Sequence, residues 1–146
     1  MTNPTQAMTV KNAGILIRFA ALIYDALLVF GLWFVIGAIF VAFNGGEHAN
    51  PYDPFLPSAL FIVTLWFNTH FWRRGGQTLG MRAWRIRLLN TNKGPLTLTQ
   101  CLVRFLVAMG SLGLAGMGYF WLLLDKDGLT WHDRYSDTRV IREPKA

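Results

Sequence analysis

The feature that most constrains this chain is an apolar run over residues 19–43, which contains a single charged residue, Asp25. An α-helix of this length, rising 1.5 Å per residue, exceeds the roughly 30 Å hydrocarbon core of a bilayer. The apolar stretch of a cleaved signal peptide is shorter, about 7–15 residues, and lacks a mid-helix aspartate. The run therefore predicts a membrane-spanning helix.

Two further apolar runs follow, at residues 55–72 and 105–124. The first is just long enough to span, and the second has the length of one span but carries four glycines, at positions 110, 113, 116 and 118. The glycines would either allow close packing of one helix or break it into two half-helices that dip in and return. We favour the returning form. The sequence thus predicts an all-α membrane protein, one domain over residues 1–146, with about three membrane helices, of which the third is Gly-rich and, in the form we favour, broken or re-entrant.

The basic residues are confined to three short stretches. All fourteen Lys and Arg lie in residues 11–18, 73–104 and 126–145, and only 15% of the chain is charged, against roughly 25% in soluble domains. This placement at the ends of apolar runs follows the positive-inside rule and is not that of a nucleic-acid interface. It predicts a cytoplasmic N-terminus, a cytoplasmic loop at residues 73–104, and a tail at residues 125–146 that we expect on the same side.

Short alternating patterns in the polar segments indicate β-strands. Trp84, Ile86 and Leu88 alternate with Arg85 and Arg87, which is the period of two expected for a strand. Residues 91–94 supply turn residues and residues 96–99 alternate again, so we expect a small cytoplasmic β-hairpin. Residues 138–141 are a third strand candidate that would join it.

Asp25 requires compensation, because an ionisable group inside a membrane helix costs several kcal/mol. Arg18 lies on the same helical stripe but about 10 Å away along the axis, too far for an easy ion pair. Two interpretations stay open. Asp25 is either a cation or proton site reached from the cytoplasmic side, or a structural carboxylate that binds a basic residue of the loop or tail.

Other polar residues carry weaker signals. His132 and Asp133 could be a general base and its orienting carboxylate, but no nucleophile is evident nearby, so we expect no enzyme activity. Arg104 is expected to extend its charged end to the membrane surface at the start of the third run. The single cysteine, Cys101, is expected to be an apolar filler. The spacing of cysteines and histidines predicts neither a metal site nor a cofactor.

Three motifs taken in order resemble the RDD family of bacterial integral membrane proteins. The stretch IRFAALIYD gives Arg18 and Asp25, the arginine and first aspartate after which the family is named. GQTLGMRAWRIRLLN, with Gln77, Gly80 and Arg82, is similar to its middle signature. TWHDRYSDTRVI is similar to its closing one and makes Asp133 the second aspartate. The resemblance covers roughly residues 12–142.

The resemblance implies a multi-pass protein of the bacterial cytoplasmic membrane, in contact with its lipids. Solute transport is usually suspected for the family, and cation/proton exchange is proposed for some members. In a first hypothesis Asp25 binds a proton or monovalent cation, Arg18 tunes its affinity, and Asp133 contributes from the cytoplasmic end. Because so few helices enclose a polar pathway poorly, this hypothesis requires an oligomer.

In a second hypothesis the protein is a non-catalytic accessory or assembly subunit of a membrane complex. Arg18, Asp25 and Asp133 then hold the cytoplasmic segment against the helices. Under either hypothesis, a short set of residues is expected to support the site: Arg104, His132 and Gln77.

Overall fold

The computed structural model of the protein describes residues 11–47, 50, 52–92 and 94–144. Lys93 of the predicted turn and Lys145 of the basic tail lie outside them. Within these residues the chain forms six helices and two strands. They are α1 (Ile15–Phe43), α2 (Phe55–Gly75), α3 (Leu79–Ala83), β1 (Ile86–Asn90), α4 (Leu98–Gly113), α5 (Met117–Leu124), α6 (Trp131–Tyr135) and β2 (Thr138–Arg142).

Helix α1 contains the first predicted span and begins slightly before it, at Ile15. Its most apolar 18-residue window has a mean hydropathy of 2.7, yet only 6% of that window is buried. The core helix of a soluble protein would be mostly buried, whereas a helix that is apolar on all sides and exposed is suited to lipid. Among the described helices, α1 is the one that is by itself long and apolar enough to cross a membrane.

Helix α2 forms where the second apolar run predicts a helix, but it does not qualify as a membrane span by hydropathy. Its C-terminal half includes Asn68, Thr69 and His70 before the basic pair Arg73 and Arg74. These polar residues lower the mean hydropathy of the helix. The prediction of about three spans is therefore not confirmed.

The third apolar run is broken, as its glycines indicated. Helices α4 and α5 meet at an angle of 97°, so that together they form either a broken span or a re-entrant loop. Ala115 and Gly116 in the break have φ angles of 58° and 76°. This left-handed conformation cannot continue an α-helix and is most easily adopted by glycine.

The prediction of a β-hairpin is wrong. Strand β1 pairs antiparallel with β2 from the tail, in a register that runs from Ile86 opposite Arg142 to Asn90 opposite Thr138. The residues expected to form the second strand begin α4 instead. Thr97 and Gln100 form a capping box, in which the Thr97 hydroxyl accepts from the Gln100 amide at 3.2 Å and the Gln100 side chain accepts from the Thr97 amide at 3.1 Å. An alternating Leu-Thr pattern over four residues is compatible with both structures, and the cap favours the helix.

Strand β1 keeps only part of its predicted alternation. Ile86 and Leu88 are buried, whereas Trp84 is 47% exposed and ends α3. Arg85, which follows, has a φ of 52° and separates Trp84 from the strand.

The chain before α1 also joins this sheet. Asn12 forms a bridge with Ile141, and the Ala13 amide donates to the Val140 carbonyl at 3.0 Å. The start of α1, the segment after α2 and the tail therefore meet at one end of the molecule. They surround a small core that includes the buried Cys101, as expected of an apolar filler. The core residues are Ala13, Ala21, Trp72, Met81, Ile86, Leu88, Leu96, Cys101, Phe105 and Val140.

The cap of α4 can be tested directly. Thr97→Ala removes the hydroxyl that accepts from the Gln100 amide, so we expect it to destabilise the protein by about 1 kcal/mol and to lower the melting temperature in detergent. Thr99→Ala, in the exposed first turn of the same helix, is the matched control and is expected to have little effect. Equal melting temperatures for the two variants would contradict the capping role.

Candidate functional site

Two buried polar residues on α1 organise the polar interior of the protein. Arg18 is 6% exposed and Asp25, two helical turns later, is 9% exposed. The structure does not pair them with each other. Each is bound by a different segment that follows α1 in the chain: Arg18 by α6, and Asp25 by the start of α3. The result is two separate polar centres.

The first centre, the Asp133 cluster, consists of Arg18, Arg104 and Asp133. Arg18 Nη1 lies 2.6 Å from Asp133 Oδ2, and Arg104 Nη1 donates to the other oxygen, Oδ1. The side chains are 4%, 8% and 0% exposed in that order. The cluster therefore joins α1, α4 and α6 through one carboxylate that is fully removed from solvent.

The local sequence fixes Asp133 within α6. Thr130 and Asp133 form a capping box, in which the Thr130 hydroxyl accepts from the Asp133 amide and Asp133 Oδ2 accepts from the Thr130 amide, both at 3.3 Å. The same carboxylate thus begins the helix and binds both arginines. This use of both oxygens explains why so short a helix presents it in one orientation.

Further hydrogen bonds hold the two guanidinium groups. Arg18 Nε donates to the Ala13 carbonyl at 3.0 Å, and Arg104 Nη1 donates to Thr138 Oγ1 at 3.0 Å. Arg104 also lies over the ring of Trp72, with Cζ 5.4 Å from the centroid, a geometry that attracts a cation. The expectation that Arg104 extends to the membrane surface is therefore wrong, because a buried carboxylate offers it a stronger partner than the surface does.

The electrostatics of the Asp133 cluster favour a fixed charge state. Burial alone would raise the pKa of Asp133, but the positive charges of Arg104 and Arg18 outweigh it and hold that pKa below its usual range. Burial, and then the charge of Arg104, lowers the pKa of the neighbouring His132 to about 3. With two cations, one anion and a neutral imidazole, the cluster carries a net charge of +1.

The second centre, the Asp25 site, consists of Asp25, Thr78 and Gly80. Asp25 Oδ2 accepts a hydrogen bond from the Thr78 hydroxyl, and Oδ1 accepts from the Gly80 amide at 2.8 Å. The Thr78 hydroxyl itself accepts from the Met81 amide at 3.3 Å, so its proton is directed to Asp25. Both carboxylate oxygens are bound by neutral donors.

Gly80 permits this approach. A Cβ at this position would lie 2.9 Å from Asp25 Cγ and would also overlap the Ala21 carbonyl oxygen. Real Cβ atoms do not come so close, so a side chain at residue 80 would push α3 away from α1. The site is therefore closed by a residue without a side chain.

Gln77 belongs to neither centre. Its Nε2 donates to the Ile86 carbonyl at 2.9 Å and to Glu143 Oε2 at 3.3 Å, and Glu143 in turn pairs with Arg87 at 2.6 Å. This third network ties the segment after α2 to the tail at the edge of the sheet. Gln77 thus hydrogen-bonds to neither Asp25 nor Asp133, although it is the neighbour of Thr78 in the chain.

The predicted site is therefore divided. Arg18, Asp133 and Arg104 come together with His132 beside them, whereas Asp25 lies apart and binds Thr78 and Gly80. Sequence reasoning assigned no role to Thr78, although its place before the short α3 is that of an N-cap residue. Among the described residues, no group of three or more His, Cys, Asp or Glu is placed to hold a metal ion.

The profile of the RDD family matches residues 12–137, which is most of the chain. The chain therefore belongs to the RDD family, a family of membrane proteins, and this agrees with the exposed apolar helix α1. No curated protein and no solved structure matches the chain.

The Asp133 cluster predicts a large loss of stability on neutralising its one anion. Asp133→Asn leaves two buried guanidinium groups without a counter-charge, so we expect a cost of about 3–5 kcal/mol and a strongly lowered melting temperature or folded yield in detergent. Asp127→Asn is the control, because Asp127 is 66% exposed and lies 3.5 Å from its basic partner. A small and equal effect of both substitutions would contradict the cluster's structural role.

His132 predicts a pH dependence of stability. Its pKa is about 3 in the folded state and about 6.5 in the unfolded state, so between these values the unfolded state binds the extra proton. Stability should therefore fall as the pH is lowered from about 6.5, by up to about 1.4 kcal/mol per pH unit.

The measurement is the melting temperature in detergent between pH 7 and pH 4.5, where Asp133 remains ionised. His132→Gln should flatten this dependence, whereas His70→Gln, which removes a half-buried histidine of α2, should retain it. An unchanged slope in His132→Gln would contradict the burial of a neutral imidazole.

Proposed function

We propose that this RDD family protein is a small membrane transporter that exchanges a monovalent cation for a proton, with Asp25 as the binding group. One observation carries the proposal. The Asp25 carboxylate lies on the candidate membrane helix and accepts hydrogen bonds from Thr78 and Gly80, while the ion pairs among the described residues do not include it.

The balance of forces at Asp25 suits reversible binding. Removal from water disfavours the charged carboxylate, while two directed donors favour it. The donors carry no net charge, so the negative charge remains to be neutralised by a proton or a monovalent cation. Asp133 differs in this respect, because two arginines already neutralise it. We therefore assign binding to Asp25 alone, and to Arg18 and Asp133 a positioning role.

The pathway requires more than one copy of the chain. The described residues provide one candidate span and one bent helix pair. These enclose a polar route poorly, since every polar group in lipid must be shielded by protein. The exposed apolar surface of α1 offers a face for a second copy as well as for lipid. The proposal therefore includes a homo-oligomer in the bacterial cytoplasmic membrane.

The proposed orientation places both termini in the cytoplasm. The basic residues at positions 11–18, 73–104 and 126–145 support this orientation through the positive-inside rule. The antiparallel pairing of β1 with β2 supports it as well, because two paired strands must lie on the same side of a membrane.

A second candidate function is a non-catalytic accessory or assembly subunit of a membrane complex. A specific observation favours it: Arg18 and Asp25 bind groups of the same chain, and these contacts attach α3, α6 and the tail to α1. In that function Asp25 is a structural acceptor for Thr78 and Gly80. The two functions differ in whether loss of the Asp25 charge can be separated from loss of stability.

The test is cation-driven proton movement in proteoliposomes. We expect the wild-type protein to alkalinise the lumen when Na⁺ or K⁺ is added outside, because each cation that enters is exchanged for a proton that leaves. Asp25→Asn, compared at equal folded protein, should reduce the rate at least tenfold, because the amide has nearly the shape of the carboxylate but carries no charge and takes up no proton. Asp53→Asn, in the segment between α1 and α2, is the matched control.

The outcomes separate the two functions. Lost exchange in Asp25→Asn with an unchanged melting temperature and an active Asp53→Asn supports the transporter. A folded, stable wild-type protein that moves protons with neither cation would overturn exchange. If Asp25→Asn instead lowers the melting temperature and folded yield in parallel, the accessory function is favoured.

A further inference from the structure

A groove lies between the second half of α2 and the start of α4, and none of its lining residues belongs to either polar centre. It has a cavity volume of about 550 Å³ and opens to the outside of the protein. Among the residues that the structure describes, its lining combines basic and apolar side chains and includes no acidic residue. The lining residues are Ile62, Leu65, Trp66, Thr69, His70, Arg73, Arg74, Pro95, Leu96, Leu98 and Leu102.

The groove is polar at one end. Arg73 and Arg74 in the last turn of α2 are exposed, and the ion pairs formed within the described part of the chain involve neither of them. One turn before them, the Thr69 hydroxyl oxygen is buried and has no hydrogen-bond partner among the described residues. Two guanidinium groups, an unsatisfied hydroxyl and an imidazole thus point to an anionic ligand with several oxygen acceptors.

The groove is apolar at the other end. Ile62, Leu65 and Trp66 lie on the same face of α2 as Thr69 and Arg73, because they are spaced by three and four residues. Leu98 and Leu102 of α4 form the opposite wall. The apolar wall therefore begins directly beside the basic end and runs along the helix toward its N-terminus.

We propose that this groove binds an anionic phospholipid, with the phosphate at Arg73 and Arg74 and an acyl chain along the wall of Ile62, Leu65 and Leu102. Charge complementarity selects the headgroup, and the change from basic to apolar lining over one or two turns matches the boundary between headgroup and hydrocarbon. The Trp66 ring, stacked on His70 with centroids 5.1 Å apart, lies at that boundary, where tryptophan is favoured.

The lining also indicates the charge of the headgroup. A zwitterionic lipid presents an ammonium group that a carboxylate would bind, but the groove contributes only cations and neutral groups. An anionic headgroup has no ammonium group, so it does not require a carboxylate in the groove. This site is independent of the exchange proposed for Asp25, which lies on a different helix and faces α3.

The experiment measures the lipids bound by detergent-purified full-length protein. Phosphatidylglycerol and phosphatidylcholine of identical chains are titrated and followed by native mass spectrometry. We expect the wild-type protein to prefer phosphatidylglycerol about tenfold or more, since each basic residue near an anionic surface contributes about fivefold in affinity. Arg73→Gln with Arg74→Gln should reduce the preference to about twofold. Thr69→Val should reduce it by a smaller factor.

The matched control removes the same charge elsewhere. Arg85→Gln with Arg142→Gln alters two exposed arginines outside the groove and should keep the wild-type preference. An equal loss in this control would show a general charge effect and overturn the site. So would equal retention of the two lipids by the wild-type protein, or equal binding of glycerol 1-phosphate, which lacks the acyl chains. Should the Arg73 and Arg74 variant fail to fold, the wild-type selectivity and Thr69→Val decide the question.

Discussion

The Asp133 carboxylate, bound on both oxygens by arginines from different helices, is the interaction on which the rest of the arrangement depends. Arg18 belongs to the first turn of α1, and Arg104 belongs to α4, which follows β1. Neither arginine could remain buried without this anion, because an isolated buried charge costs several kcal/mol. Asp133 therefore determines where α1, α4 and the tail meet, and the pairing of β2 with β1 follows from that meeting.

The cluster does more than compensate charge. Arg18 Nη2 also reaches the Val140 carbonyl at 3.4 Å, and Arg104 reaches Thr138, so both arginines bind the strand that follows α6. A two-stranded sheet is marginal by itself. Here both arginines of the cluster bind the second strand, β2. The first strand, β1, packs Ile86 and Leu88 into the core. The fold at this end of the molecule is thus stabilised by a small apolar core together with the charged Asp133 cluster.

The sequence predicts elements of this fold better than it predicts their partners. The helical character of the three apolar runs, the break between α4 and α5, a strand within residues 83–90 and another at residues 138–141 follow from local patterns. The hairpin does not, because four alternating residues do not distinguish a strand from a capped helix start, and Thr97 with Gln100 decides for the helix. The burial of Arg104 also escapes local reasoning, since its partner lies 29 residues away.

For the candidate site, too, the sequence predicts the residues better than it predicts their contacts. The family motifs single out Arg18, Asp25, Gly80 and Asp133, but nothing in their spacing says which of them touch. Thr78 and Gly80 are uncharged residues with no distinctive sequence signal, and only the fold brings them to Asp25. A glycine is informative there because the contact with α1 leaves no space for a Cβ. A sequence alone shows a glycine without showing what approaches it.

The contrast between the two buried carboxylates bears on function. Asp133 has two cations and a capping box, and its charge is already balanced, so binding a further cation would have to displace an arginine. Asp25 lies on the same helix as Arg18 but receives only a hydroxyl and an amide proton, which orient the carboxylate without neutralising it. A binding carboxylate must be able to gain and lose a proton or cation at a modest cost in free energy. A carboxylate that anchors the fold must keep its charge and its partners. In the proposed exchange Asp25 is the group that changes and Asp133 is the anchor, and Asp25 lies on the helix that is best suited to the membrane.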